Sequence, residues 1–207
     1  MAALSATAAL AAPGAEGLRV VFLRLALVYL LLFAGTSAWT QPGEQKTLPA
    51  EVSEEALKAA FVYKFLAYAE WPSHAFKSAT TPFVIGVIGA DNIASELAQL
   101  VPGRTVNDRP VEVKVLKEGA SLQGIHLLVV GELEGERLRQ VLGEAQRHSV
   151  LTVTQSEGAL SAGSIINFVM LDHKIRFEVS LEAAEKSRIR LSSRLLPVAY
   201  RVLPRKS

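Results

Sequence analysis

The four histidines, His74, His126, His148 and His173, are the side chains best suited to metal ligation or general acid–base work. Their spacing speaks against both. A helix-borne metal site sets two histidines three or four residues apart, and none of these four has another within a helical turn. Each is expected as a surface or hydrogen-bonded residue. The chain has no cysteine, which removes thiol nucleophiles, Cys-ligated metals, disulfides and a lipoprotein anchor. No serine stands in a Gly-x-Ser-x-Gly elbow; Ser164 follows Gly163 but opens an apolar stretch. Glu54 and Glu55 open a helix, where the dipole accounts for them. Glu132, Glu134 and Glu136 bracket a loop without a ligand cage. Gly86-Val87-Ile88-Gly89 lies where a phosphate cradle would lie, between a buried strand and a helix. The next glycine of a dinucleotide pattern is replaced by Asn92, and no Walker lysine follows. A tight turn is the simpler reading. No catalytic group, metal or cofactor is expected.

Two other groupings suit contact with a partner or ligand. Glu70-Trp71-Pro72 sets a large amphipathic ring at a helix end, as a core plug or an interface anchor. Arg188, Arg190 and Arg194 form a basic cluster in which Arg188 and Arg190 alternate with Ile189 and Leu191. It reads either as a solvated edge or as a guanidinium clamp for carboxylates.

The elements that must position these residues follow from punctuation and periodicity. Ser53 is an N-cap before a helix whose buried face is expected at Leu57, Phe61, Phe65 and Tyr68, widened by Ala56, Ala60 and Ala69. Trp71-Pro72 is expected to end it. Residues 83–88 are continuously apolar apart from one glycine, as in a parallel strand covered on both faces. A helix over 93–100 follows. Val111, Val113 and Val115 alternate with charged residues in an edge-type strand. Residues 126–130 and 150–154 are further strands. The helix over 135–147 between them turns Leu138, Val141, Leu142 and Ala145 inward. Residues 164–171 and 174–181 are joined only by Asp172-His173, which demands an antiparallel hairpin. A short helix over 182–187 and a last apolar segment over 189–199, bent by Pro197, complete the chain. The pattern predicts a single three-layer α/β domain with a mixed, mostly parallel sheet ending in an antiparallel hairpin.

The first 38 residues read as a secretory signal peptide, with Arg19 and Arg24 before an apolar run and the small residues Gly35-Thr36-Ser37-Ala38 after it. The run from Leu25 to Ala34 is about half the ~20 residues a spanning helix needs. Cleavage after Ala38 is therefore expected rather than an uncleaved membrane helix. Removing the leader leaves 20 basic against 19 acidic residues, too even a balance for a nucleic-acid or membrane-surface protein. Residues 39–52 read as a flexible tail.

The ordered blocks also resemble a known family. Ala60-Phe61-Val62-Tyr63-Lys64-Phe65 with Glu70-Trp71-Pro72 is similar to the opening signature of the YfiR-like periplasmic proteins. Phe83 to Gly89, Val150 to Val153, Gly163 to Phe168, Lys174 to Val179, Ala183-Ala184 and Leu191 to Leu196 continue the resemblance over residues 53–203. It implies a non-enzymatic periplasmic regulator that binds the periplasmic sensor domain of an inner-membrane receptor. That receptor is a diguanylate cyclase or a kinase, and repression of a cyclase would lower cyclic di-GMP and biofilm formation. The resemblance also implies a homodimer and an outer-membrane-linked lipoprotein partner. Studied members carry cysteines that respond to oxidation; this chain has none, so disulfide control is excluded. The residues leave a second reading open. In it the crevice at the strand ends, with Gly89 to Asn92 and Gly131 to Glu134, binds an anion or amino acid that the arginines clamp.

Overall fold

The computed structural model describes residues 53–205; the expected signal peptide and tail lie outside the described residues. Helix α1 (Glu54–Ala67) starts as expected, with Ser53 accepting the Ala56 N–H through its side chain. Strand β1 (Ala69–Glu70), strand β2 (Phe83–Ile88) and helix α2 (Asp91–Leu100) follow. Then come β3 (Thr105–Val106), β4 (Arg109–Val115), β5 (Leu127–Val130), helix α3 (Gly135–Arg147) and β6 (Leu151–Thr154). The chain finishes with β7 (Ile166–Leu171), β8 (Lys174–Ser180), helix α4 (Leu181–Lys186), β9 (Arg190–Leu191) and β10 (Arg201–Leu203).

Eight strands form one sheet in the order β10-β8-β7-β6-β5-β2-β4-β3. Pairing is parallel from β4 through β2, β5 and β6 to β7. The β7–β8 hairpin and the β3–β4 hairpin are antiparallel, and β10 returns parallel to β8. The architecture is the expected α/β one. Alternate residues of each central strand enter different cores, which is why the strands are apolar throughout. Phe83, Ile85, Val87, Leu127 and Val129 pack beneath α1 and α2. Val84, Ile88, Leu128 and Val130 pack against Leu138, Leu142 and Ala145 of α3. The Asp172-His173 turn has both residues at positive φ, 48° and 57°, the conformation that matches the twist of a two-residue hairpin.

Three expectations need correction. The buried face of α1 is Ala59, Val62, Phe65 and Leu66, with Leu57 39% exposed and Phe61 and Tyr68 only partly covered. So many positions of this helix are apolar that several stripes are available. The sheet selects the one that lets Phe65 meet Phe177 edge-on at 5.1 Å. The helix also ends before the proline acts: Tyr68 is its C-cap, and the chain is already extended in β1 when it reaches Trp71. The last apolar segment is not one element. It divides into β9, a 3₁₀ turn over Leu196–Val198 and the sheet strand β10.

Candidate functional site

Strand β1 does not join the main sheet. It pairs antiparallel with β9 in a two-stranded ribbon, with Ala69 opposite Leu191 and Glu70 opposite Arg190. Ala69 is buried and Leu191 half-buried, so the inner side of the ribbon packs on the core while Glu70 and Arg190 face solvent. Their side chains meet at 2.7 Å. The ribbon is continued by the Ser192 N–H, which donates to the Tyr68 carbonyl at 2.8 Å.

Four of the five expected contact residues thus belong to one ribbon or its flanks. Arg188 and Arg194 bracket β9 on the exposed side, and neither has an ion-pair partner among the described residues. Arg188 sits at φ 57°, a left-handed position just after α4 that aims the chain into β9. The alternation read from the sequence holds, with Ile189 buried between two exposed arginines.

Trp71 is placed differently. Its indole N–H donates to the His126 carbonyl at 2.9 Å, and its ring packs 5.1 Å from Phe83. The ring is half-buried against the main core, which makes it a support for the ribbon as it leaves Glu70.

His126 is the residue that sequence reasoning treated too lightly. It is 2% exposed at the entrance to β5. The Val84 N–H donates to its Nδ1 at 3.1 Å, and its Nε2 lies 3.1 Å from the Ala75 carbonyl. Nδ1 must therefore be the acceptor and Nε2 must carry the proton, so the ring is neutral. Burial lowers its pKa below the ordinary 6.5, and the nearby Arg109 charge adds to this, against the raising effect of the Ala75 bond. The ring stacks on Phe76 at 4.5 Å, and Arg109 covers the other side of that system, 4.1 Å over Phe76. Arg109 also donates to the carbonyls of Ser78 and Thr81, at 2.8 and 2.9 Å. Residues 71–81 are thereby strapped to the sheet. The nearest sequence signal was the histidine's place at the head of an apolar run.

The crevice at the carboxyl ends of β2, β5 and β6 has a volume of about 360 Å³. Gly89, Asp91, Asn92 and Glu132 line it as expected, joined by Glu54, Glu55, Lys58 and Gln155. None of the three arginines does, so the anticipated clamp on an anion in this crevice is not formed. Its carboxylates outnumber its one lysine, and that lysine is already engaged by Glu54 and Gln155. The glycines here serve backbone packing: a Cβ on Gly131 would lie 1.8 Å from the Gly89 carbonyl oxygen. Among the described residues no group of three His, Cys, Asp or Glu side chains could hold a metal ion.

The description that fits this chain is YfiR/HmsC-like, matched over residues 55–200. The chain belongs to that family. The family is regulatory rather than catalytic. The matched stretch includes the ribbon, the His126 strap and the hairpin. No curated protein matches the chain. No helix among the described residues is long and apolar enough to cross a membrane.

Proposed function

We propose that this YfiR/HmsC-like protein is exported to the periplasm by a cleaved leader and there regulates an inner-membrane diguanylate cyclase. It does so by binding the cyclase's periplasmic sensor domain, repressing cyclic di-GMP synthesis and with it biofilm formation. The contact surface is the β1–β9 ribbon, with Glu70, Arg190, Arg188 and Arg194 presented to the partner and Trp71 holding the ribbon in place. The supporting observation is the ribbon itself. It lies outside the main sheet, presents the exposed Glu70–Arg190 pair, and is flanked by two exposed cations, Arg188 and Arg194, that form no ion pair among the described residues.

The mechanism is linkage. A regulator that prefers one receptor state shifts the receptor's population by its differential affinity. A 100-fold preference, about 2.7 kcal/mol, makes a useful switch. The active form is expected to be a homodimer, which sedimentation of the mature chain would test, and an outer-membrane-linked lipoprotein is expected to compete for it.

The deciding experiment is co-purification with the cyclase's periplasmic domain, alongside cellular cyclic di-GMP. Arg194→Glu and Arg190→Glu are expected to weaken capture and raise cyclic di-GMP with folding unchanged. The swap Glu70→Arg/Arg190→Glu restores the internal pair but inverts the surface, and is expected to stay defective. Full capture by all three variants would reject the surface.

A further inference from the structure

The outer edge of the sheet is incomplete. Strand β10 pairs with β8 only over Glu178–Ser180, and the last bond on that edge runs from the Tyr200 N–H to the Phe177 carbonyl at 2.8 Å. Before Tyr200 the chain lies away from β8 in the 3₁₀ turn, leaving Lys174–Arg176 without a strand on that side. Leu171 and Lys174 flank a two-residue turn and stand opposite each other, which in a hairpin of this loop length is the hydrogen-bonded position. Alternation then turns the N–H and C=O of Ile175 outward to the open edge. No described residue pairs with them.

A groove of about 630 Å³ occupies this gap, between Leu171, Lys174 and Arg176 on one side and Pro197 to Tyr200 on the other. Val198 and Tyr200 are 63% and 59% exposed. Lys174 and Arg176 form no ion pair among the described residues, whereas Arg201 beside them is held by Glu178 at 2.8 Å. Asp172 at the turn is the one carboxylate lining the groove.

We propose that this groove docks an extended acidic segment of a partner protein, which adds as a strand to β8 at Ile175. A strand added there offers side chains at every second residue to the face that carries Lys174 and Arg176. Two carboxylates spaced by one residue meet the two cations, and a following apolar side chain meets Val198 and Tyr200. The open backbone supplies binding, and the cations select acid over base. The proposal rests on the regulator reading for its partner, but its chemistry is tested separately.

The probe is a fluorescein-labelled synthetic peptide of alternating Glu and Val ending in Phe, compared with its Lys counterpart. Anisotropy is measured with the full mature chain. The acidic peptide is expected to bind about tenfold more tightly than the basic one, the scale of one or two exposed charge pairs. Lys174→Glu/Arg176→Glu is expected to reverse that preference with an unchanged circular dichroism spectrum, and bound peptide should slow exchange of the Ile175 amide. Equal binding of both peptides, a preference that survives the reversal, or an unprotected Ile175 amide would overturn the proposal. Charge-dependent binding to phosphatidylglycerol vesicles without Ile175 protection would also overturn it, marking a membrane contact. If the double variant still captures the cyclase while the acidic peptide never binds, the groove assignment fails and the regulator reading stands. If peptide binding behaves as described but no cyclase is captured, the reverse holds.

Discussion

Acidification should weaken this protein through His126, and the size of the effect follows from its surroundings. The folded ring is neutral, with Nδ1 accepting from Val84 and Nε2 bound to Ala75, and burial lowers its pKa. The unfolded chain keeps the ordinary value near 6.5. Above pH 6.5 neither state is protonated there, and the site contributes no pH dependence. Below it the unfolded chain takes up a proton that the folded chain refuses, so stability falls. The slope can approach at most about 1.4 kcal/mol per pH unit, and the total loss is about 1.4 kcal/mol for each unit by which the folded pKa lies below the ordinary one. The fall ends only once pH passes the lowered folded pKa. The folded ring can charge only by giving up the Val84 bond, which leaves a buried N–H unpaired at about 1–3 kcal/mol. His126→Gln, which does not titrate, removes this dependence while leaving His74, His148 and His173 in place. Urea unfolding of the mature chain and the variant from pH 7.5 to 5 should show the two stabilities drawing together as pH falls. Parallel curves would refute the neutral, buried histidine.

Other substitutions test the packing. Gly131→Ala should cost about 3 kcal/mol or more in chemical denaturation, because the added Cβ meets the Gly89 backbone rather than a movable side chain. Gly143→Ala in α3 has open space around the new methyl and should stabilise by about 0.5–1 kcal/mol. Trp71→Phe forfeits the bond to the His126 carbonyl, and should lower stability by about 1 kcal/mol in the same assay. A double-mutant cycle on Glu70 and Arg190 should return no more than about 1 kcal/mol, since both are exposed.

The central strands and α3 were legible because one signal dominated each. Residues 83–88 are apolar apart from Gly86, and the Leu138, Leu142 and Ala145 stripe of α3 leaves a single face to bury. In α1 alanines, aromatics and aliphatics occupy several stripes at once, so its orientation depends on what the sheet offers. Strands β1, β3, β9 and β10 are two or three residues long, too short for a period to register. The turn at Asn107-Asp108, with φ of 49° and 62°, was the available cue for the β3–β4 hairpin. Exposure of Arg188 and Arg190 could be read from alternation alone. Their setting could not, because Glu70 lies 120 residues from Arg190, and no local pattern carries information over that distance.

That separation bears on how the polypeptide acquires its shape. Ala69 and Glu70 can find their strand partner only once residues 190 and 191 have emerged, so a chain made or delivered from its amino end carries α1 unlatched until β9 is present. Fragments stopping short of β9 should expose the tether of Trp71 to proteases. Closure of the two-stranded clasp therefore waits on β9, and the charges offered on it are brought together only once both of its strands are in place.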